Sequence, residues 1–171
     1  MPSRARYIAH TALYLALAVL LPVGFHAFGI GGRIFLPMHI PPLLAGFIVG
    51  PGCGLIVGLL APGLSHALTG MPPTYAVLPM TLELALYGLV AGIAYQRLKL
   101  NIYLALLVAL IVGRLMFALG LFLLGMFMDL PYTAAVFLSG GRAMVEGLPG
   151  IVIQIVLIPV IVAAVSRKRR P

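Results

Sequence analysis

Apolar residues run along this chain in long blocks, and the polar residues gather mostly between them. Six blocks stand out, from about Tyr7 to Phe28, Ile34 to Val49, Cys53 to Leu68, Tyr75 to Gln96, Asn101 to Met128 and Met144 to Ser166. An α-helix needs about 20 apolar residues to cross roughly 30 Å of hydrocarbon, so the pattern predicts helices throughout. The second and third blocks are short for a full crossing. Gly29-Ile30-Gly31-Gly32, Gly50-Pro51-Gly52 and Gly70-Met71-Pro72-Pro73 interrupt the blocks with turn-forming residues. The stretch from Asp129 to Gly141 is polar enough to read as a loop, with at most a short surface helix. The first block is longer than a signal-peptide core and has no small-residue cleavage site behind it, so it is expected to be retained.

Composition turns this pattern into a class. Hydrophobic residues make up 63% of the chain and charged residues only 8%, with a mean hydropathy of +1.18. A soluble domain carries charge on roughly a quarter of its residues. The expectation is therefore a single domain over residues 1–171, an all-α integral membrane protein with six transmembrane helices. Arg4, Arg6, Arg97, Lys99 and the four residues from Arg167 to Arg170 are eight of the eleven basic residues, and in a six-span chain they all fall on one side. The positive-inside rule makes that side the cytoplasm, with both termini in it. The net charge of +8 thus reads as topology, and as contact with anionic lipid, rather than as nucleic-acid binding. The single cysteine, Cys53, permits no internal disulfide. No Gly-x-x-x-x-Gly-Lys-Ser/Thr loop is present, so this chain is not expected to hydrolyse ATP itself.

Topology also assigns depths to the polar residues inside the blocks. An ionisable side chain near the bilayer centre costs about 2.5–3.5 kcal/mol unless it is paired or wetted, so each is a functional candidate. His39 lies about a turn and a half below the outer end of the second span, and Glu83 about two turns below the outer loop on the fourth. His66 is near the outer end of the third span, Arg114 near the middle of the fifth, and Arg142 and Glu146 share one face at the mouth of the sixth. All six lie between the midplane and the outer surface, and Gln154 is the deepest polar exception. A one-sided set of this kind describes an outward-facing ligand pocket sealed below rather than a channel. Glu83 and Arg114 also suit simple mutual neutralisation, Arg142 and Glu146 an interfacial ion pair, and His66 a structural hydrogen bond. Pro37, Pro41 and Pro42 are expected to bend the second span around the pocket.

These residues resemble a known family. "FLPMHIPPLLAGFIVGPGCGLIVGLLAPGLSHALTGMPP", "LPMTLELALYGLVAGIAY", "NIYLALLVALIVGR" and "LPGIVIQIVLIPVIV" are similar to the S components, the substrate-binding membrane subunits, of energy-coupling factor (ECF) vitamin transporters, in the group that includes pantothenate and related vitamins. The resemblance implies a six-helix subunit that captures a small vitamin or vitamin precursor from outside. An ATP-driven complex would then deliver it, through a transmembrane coupling subunit and two cytoplasmic ATPase subunits, in the bacterial cytoplasmic membrane. It implies that Ala12 and Ala16 form an Ala-x-x-x-Ala contact with the coupling subunit and that Gly70, Met71, Pro72, Pro73 and Thr74 form a lid loop. His39, Glu83, Arg114, His66 and Glu146 are then the candidate substrate-binding residues, with no cofactor and no catalytic residue expected. Met38-His39-Ile40-Pro41 also resembles the start of cobalt and nickel S components. There a terminal amine joins the metal site, but here the motif is internal, so metal uptake is not expected.

Two other classes stay open at this point: an intramembrane enzyme using Glu83 and a histidine, and a stand-alone facilitator. The first would need a nucleophile or metal at workable spacing, and neither His-Glu-x-x-His nor Gly-x-Ser-x-Gly is present.

Overall fold

The computed structural model describes residues 4–27, 32–130, 133 and 145–167. Among the described residues every regular element is helical. In chain order they are α1 (Arg4–Ala27), α2 (Gly32–Phe35), a 3-10 turn (Pro37–His39), α3 (Ile40–Ile48), α4 (Pro51–Thr69), α5 (Thr74–Gly92) with a π-helical extension (Ile93–Arg97), α6 (Ile102–Gly125) and α7 (Leu148–Arg167). Five of these helices are long and apolar enough to cross a membrane, and the sixth apolar stretch is the shorter Pro37–Ile48. The loop expected over 129–141 falls almost wholly outside the described residues, as do Arg142 and most of the Gly29–Gly32 turn.

The second apolar block differs from the bent span that its prolines suggest. Leu36 adopts a left-handed conformation (φ 49°, ψ 47°) that ends the approach from α2 and starts the 3-10 turn at Pro37. Such a conformation costs an L-residue about 1–2 kcal/mol, so the surrounding packing must hold it. Pro41 and Pro42 then occupy the first turn of α3. A proline there gives up an N–H that has no intrahelical acceptor anyway. These prolines therefore start a helix where the sequence suggests they kink one.

The twelve residues from Pro37 to Ile48 span only about 18 Å at helical rise, far short of the hydrocarbon thickness. A short, broken helix is tolerated at membrane depth only where protein surrounds it. Pro41 through Phe47 are buried, and the helix packs against α1, α4, α5 and α7. Its Leu43, Leu44 and Phe47 join Tyr87, Leu106, Leu110 and Ile158 in one apolar cluster. Its Ala45, with Met38 before it, joins Ala18, Cys53, Val57 and Leu84 in another. At its far end Gln96 donates from Nε2 to the carbonyls of Phe47 (2.9 Å) and Gly46 (3.3 Å), two of the carbonyls a helix C-terminus leaves orphaned.

α4 and α5 form an antiparallel pair in close backbone contact, because small residues face each other along it. A Cβ placed on Gly54 would fall 2.6 Å from the Cα of Gly88, and one on Gly58 would meet the Leu84 carbonyl. Gly46 of α3 meets Gly88 from the other side, where its Cβ would lie 3.2 Å from the Gly88 Cα. Small residues permit such an approach in membranes, where apolar side chains gain little by leaving lipid for one another. Outside this centre, α6 exposes Leu104, Leu107, Ile111, Leu115, Leu119 and Phe122. Their spacing of three and four makes one lipid-facing stripe.

Candidate functional site

The glycine seam and the short α3 bring three ionisable side chains together inside the bundle. Glu83 is 1% exposed. Its Oε1 lies 3.1 Å from Nη1 of Arg114 on α6, and its Oε2 lies 3.2 Å from Nε2 of His39 at the head of α3. An ionised carboxylate only accepts, so His39 Nε2–H is the donor and the proton's place on that ring is fixed. Both carboxylate oxygens thus face a partner from a different helix. Arg114 faces Glu83 from beside Gly113, whose lack of a side chain lets the Tyr87 ring pack directly onto α6. Tyr87 sits one turn along α5 from Glu83, on the same face, with its ring centroid 5.6 Å from that of His39. An ion pair at this depth is stable only when both charges and their remaining hydrogen-bonding groups are met.

The predicted lid has its own set of partners. α4 ends at Thr69, Gly70 turns the chain with φ 73°, and the next residues lead into α5 through a cis Met71–Pro72 peptide. Ser65 donates from Oγ to the Met71 carbonyl (2.8 Å), His66 Nδ1–H to the Pro72 carbonyl (2.7 Å), and Thr69 to the Ser65 carbonyl (2.8 Å). His66 is therefore tied to the loop from Gly70 to Thr74, the structural hydrogen bond that its sequence position also allowed. Glu146 is half-buried ahead of α7. Its expected partner Arg142 lies outside the described residues.

The structure thus unites His39, Glu83 and Arg114 in one cluster and gives His66 a separate clamp. Ala12 and Ala16 are exposed on α1 together with Ala9. Sequence reasoning passed over Tyr87, although its place four residues after Glu83 puts it on the same helix face. It also left Gln154 as a depth marker, although the only polar residue in "LPGIVIQIVLIPVIV" is 0% exposed in the folded chain. No group of three His, Cys, Asp or Glu side chains that could hold a metal occurs among the described residues. An open depression of about 550 Å³ lies at the other end of α3, lined by Ile48, Val49, Tyr95, Gln96, Lys99 and Leu100. It is separated from His39 by roughly 13 Å of helix and shares none of the cluster's residues.

A buried cluster of ionisable groups inside a bundle of apolar helices fits a membrane receptor for a small molecule. Comparison with known families agrees: residues 6–162 match the family described as "ECF transporter, substrate-specific component". The chain belongs to that family. It is accordingly a substrate-specific subunit of a transporter and a multi-pass membrane protein. Neither curated proteins nor solved structures give a match. In a multi-pass membrane protein the exposed leucines of α6 suit contact with lipid, and the His39–Glu83–Arg114 cluster is the candidate site.

Proposed function

We propose that this S component captures a vitamin or vitamin precursor from outside a bacterial cytoplasmic membrane, with pantothenate and its relatives as first candidates. Delivery follows through an ATP-driven complex with a transmembrane coupling subunit and two cytoplasmic ATPase subunits. Six spans, with Pro37–Ile48 as the core of the second, leave both termini in the cytoplasm beside the basic clusters. The pocket opens outward under the Gly70–Thr74 loop. The observation that carries this reading is the buried contact of Glu83 with both Arg114 and His39. It sets polar groups from three helices at one depth inside an otherwise apolar bundle, a costly arrangement that a binding site explains. Ala12 and Ala16, exposed on α1, serve the coupling subunit.

An intramembrane enzyme is not favoured, because the family is one of transporter subunits. Thermal unfolding of the purified protein against a panel of vitamins and precursors tests the proposal. One compound should raise the unfolding midpoint strongly, since a ligand at 100 times its Kd stabilises the folded state by about 2.7 kcal/mol. A flat response to the whole panel would sink it.

A further inference from the structure

One fully buried polar side chain has no counterpart in the charged cluster. Gln154 is 0% exposed on α7, yet neither its Oε1 nor its Nε2 has a hydrogen-bond partner among the described residues. His39, 3% exposed, is satisfied at Nε2 by Glu83, but its Nδ1 is likewise without a partner. Buried polar atoms in native proteins are nearly always bonded, and there is no water in hydrocarbon to make up the difference. Among the described residues nothing meets them, and Tyr87 Oη and Glu83 Oε1 beside them also lack a hydrogen bond; a polar ligand inside the bundle would meet such atoms.

Helix register places these atoms at one depth. Gly150 of α7 abuts the backbone of Ile34 and Phe35, where a Cβ on it would come within 2.8 Å of both. Gln154 is one helical turn further along α7. His39 is one turn further along the other strand of chain, its N–H bonded to the Leu36 carbonyl at 3.1 Å. α7 packs on α3 below this point, where Ile158 shares a cluster with Leu43 and Tyr87, and Ile151 packs against the same cluster. Gln154 lies between Ile151 and Ile158 on that inward face of α7. The cluster's own charges are meanwhile spent on each other: Glu83 faces Arg114 at 3.1 Å, so the cluster offers a ligand anion little net attraction.

We infer that Gln154 is a specificity-determining residue of the substrate site, and that together with His39 Nδ1 it reads an uncharged amide-type edge on the ligand. A carboxamide presents an acceptor and a donor side by side, so its complement is the one-sided C(=O)–N–H edge of a primary amide, lactam, ureide or imide. A carboxylate offers acceptors alone and would leave Gln154 Oε1 unmet. This inference rests on the receptor reading above and specifies the ligand chemistry that the pocket selects.

The test uses the protein in nanodiscs, titrated with biotin, riboflavin and nicotinamide, which carry such an edge, and with pantothenate, whose trans amide points its C=O and N–H in opposite directions, nicotinate and lipoate, which do not. The best-binding probe is expected among the first three, and nicotinamide should outrank nicotinate. Gln154→Met, close in shape and without hydrogen-bonding groups, should weaken that probe about tenfold or more, the equivalent of one good hydrogen bond. The empty Gln154→Met protein should unfold no earlier than wild type, since removing an unpaired buried amide relieves a cost; a residue of merely structural importance would shift the midpoint down. An unchanged Kd in Gln154→Met overturns the inference and assigns the amide to water or packing. So does a best ligand from the last three probes, an arm read on wild type alone should the variant fail to fold. If no probe binds wild type, the receptor reading itself has failed and the inference falls with it; loss confined to the Gln154 comparison leaves that reading standing.

Discussion

Two stripes of small residues run through this molecule, and the fold treats them oppositely. Along α4 and α5, Gly54, Gly58 and Gly88 lie in backbone-to-backbone contact inside the chain. Along α1, Ala9, Ala12 and Ala16 face outward and are exposed. Half of the spanning window of α5 is buried against the rest of the protein, but only 17% of that of α1. Small residues therefore mark where a helix can be approached closely, and the folded chain shows which approach is already taken. The seam is used to bring Glu83 within reach of α3 and α6. The alanine face leaves the same capacity unspent within this chain.

Gly88→Leu should break the seam outright and give the largest effect. Even the Cβ of a new side chain at Gly88 would collide with the Gly54 backbone, which cannot yield as a flexible side chain can. Overpacking of well-packed cores costs about 1–3 kcal/mol, and a backbone collision lies at or beyond the top of that range. The measurement is yield of folded protein and the thermal midpoint in detergent, with Gly24→Leu on α1, where a Cβ meets nothing within 4 Å, as the tolerated counterpart. Equal midpoints for the two variants would mean that the seam is not what holds the centre together.

Glu83→Gln is expected to follow in size. Removing one partner of a buried ion pair costs about 3–5 kcal/mol, because the guanidinium stays behind without its counter-charge. Double substitution with Arg114→Gln should recover part of that loss, since the stranded charge goes too. The thermal midpoints of the two single variants and the double form a cycle whose coupling term reads the pair directly. Coupling near zero would place Arg114 in solvent contact instead of in the layer that the seam supports.

Much of this architecture is legible in the sequence, and the gaps have physical causes. Block lengths and turn residues place α1, α4, α5, α6 and α7 to within a few residues, because a bilayer demands long apolar runs. The second block is ambiguous in sequence. Its prolines look alike whether they kink a helix or open one, and only the left-handed Leu36 ahead of them decides it. The meeting of Glu83 with Arg114 was one of two readings that hydropathy allows, since depth follows from topology but azimuth around the helix does not. Tyr87 shares a face with Glu83 by spacing alone, yet spacing cannot say that Gly113 opposite leaves room for its ring. Gly46, Gly54 and Gly58 stand at multiples of four in the sequence, but the contact of Gly46 and Gly54 with Gly88 crosses between helices and leaves no periodic trace.

The alanine face gives the smallest change in stability and the clearest separation of roles. Replacing Ala12 and Ala16 together by leucine adds apolar bulk to a surface that already exposes Ile8, Leu13 and Leu20, so nothing inside the chain has to move. In lipid such a swap costs the isolated subunit little, within about 0.5 kcal/mol as for other exposed sites. The thermal midpoint and ligand affinity of the purified subunit should therefore match wild type. Uptake by cells that express the whole complex should instead collapse, because a helix that docks through small residues cannot approach a partner once leucines stand between the backbones. A double variant that binds ligand but does not transport separates this stripe from the glycine seam, where bulk destroys the fold before transport can be asked about. If affinity falls along with uptake, the alanines belong to the internal packing of α1, and the two stripes differ only in degree.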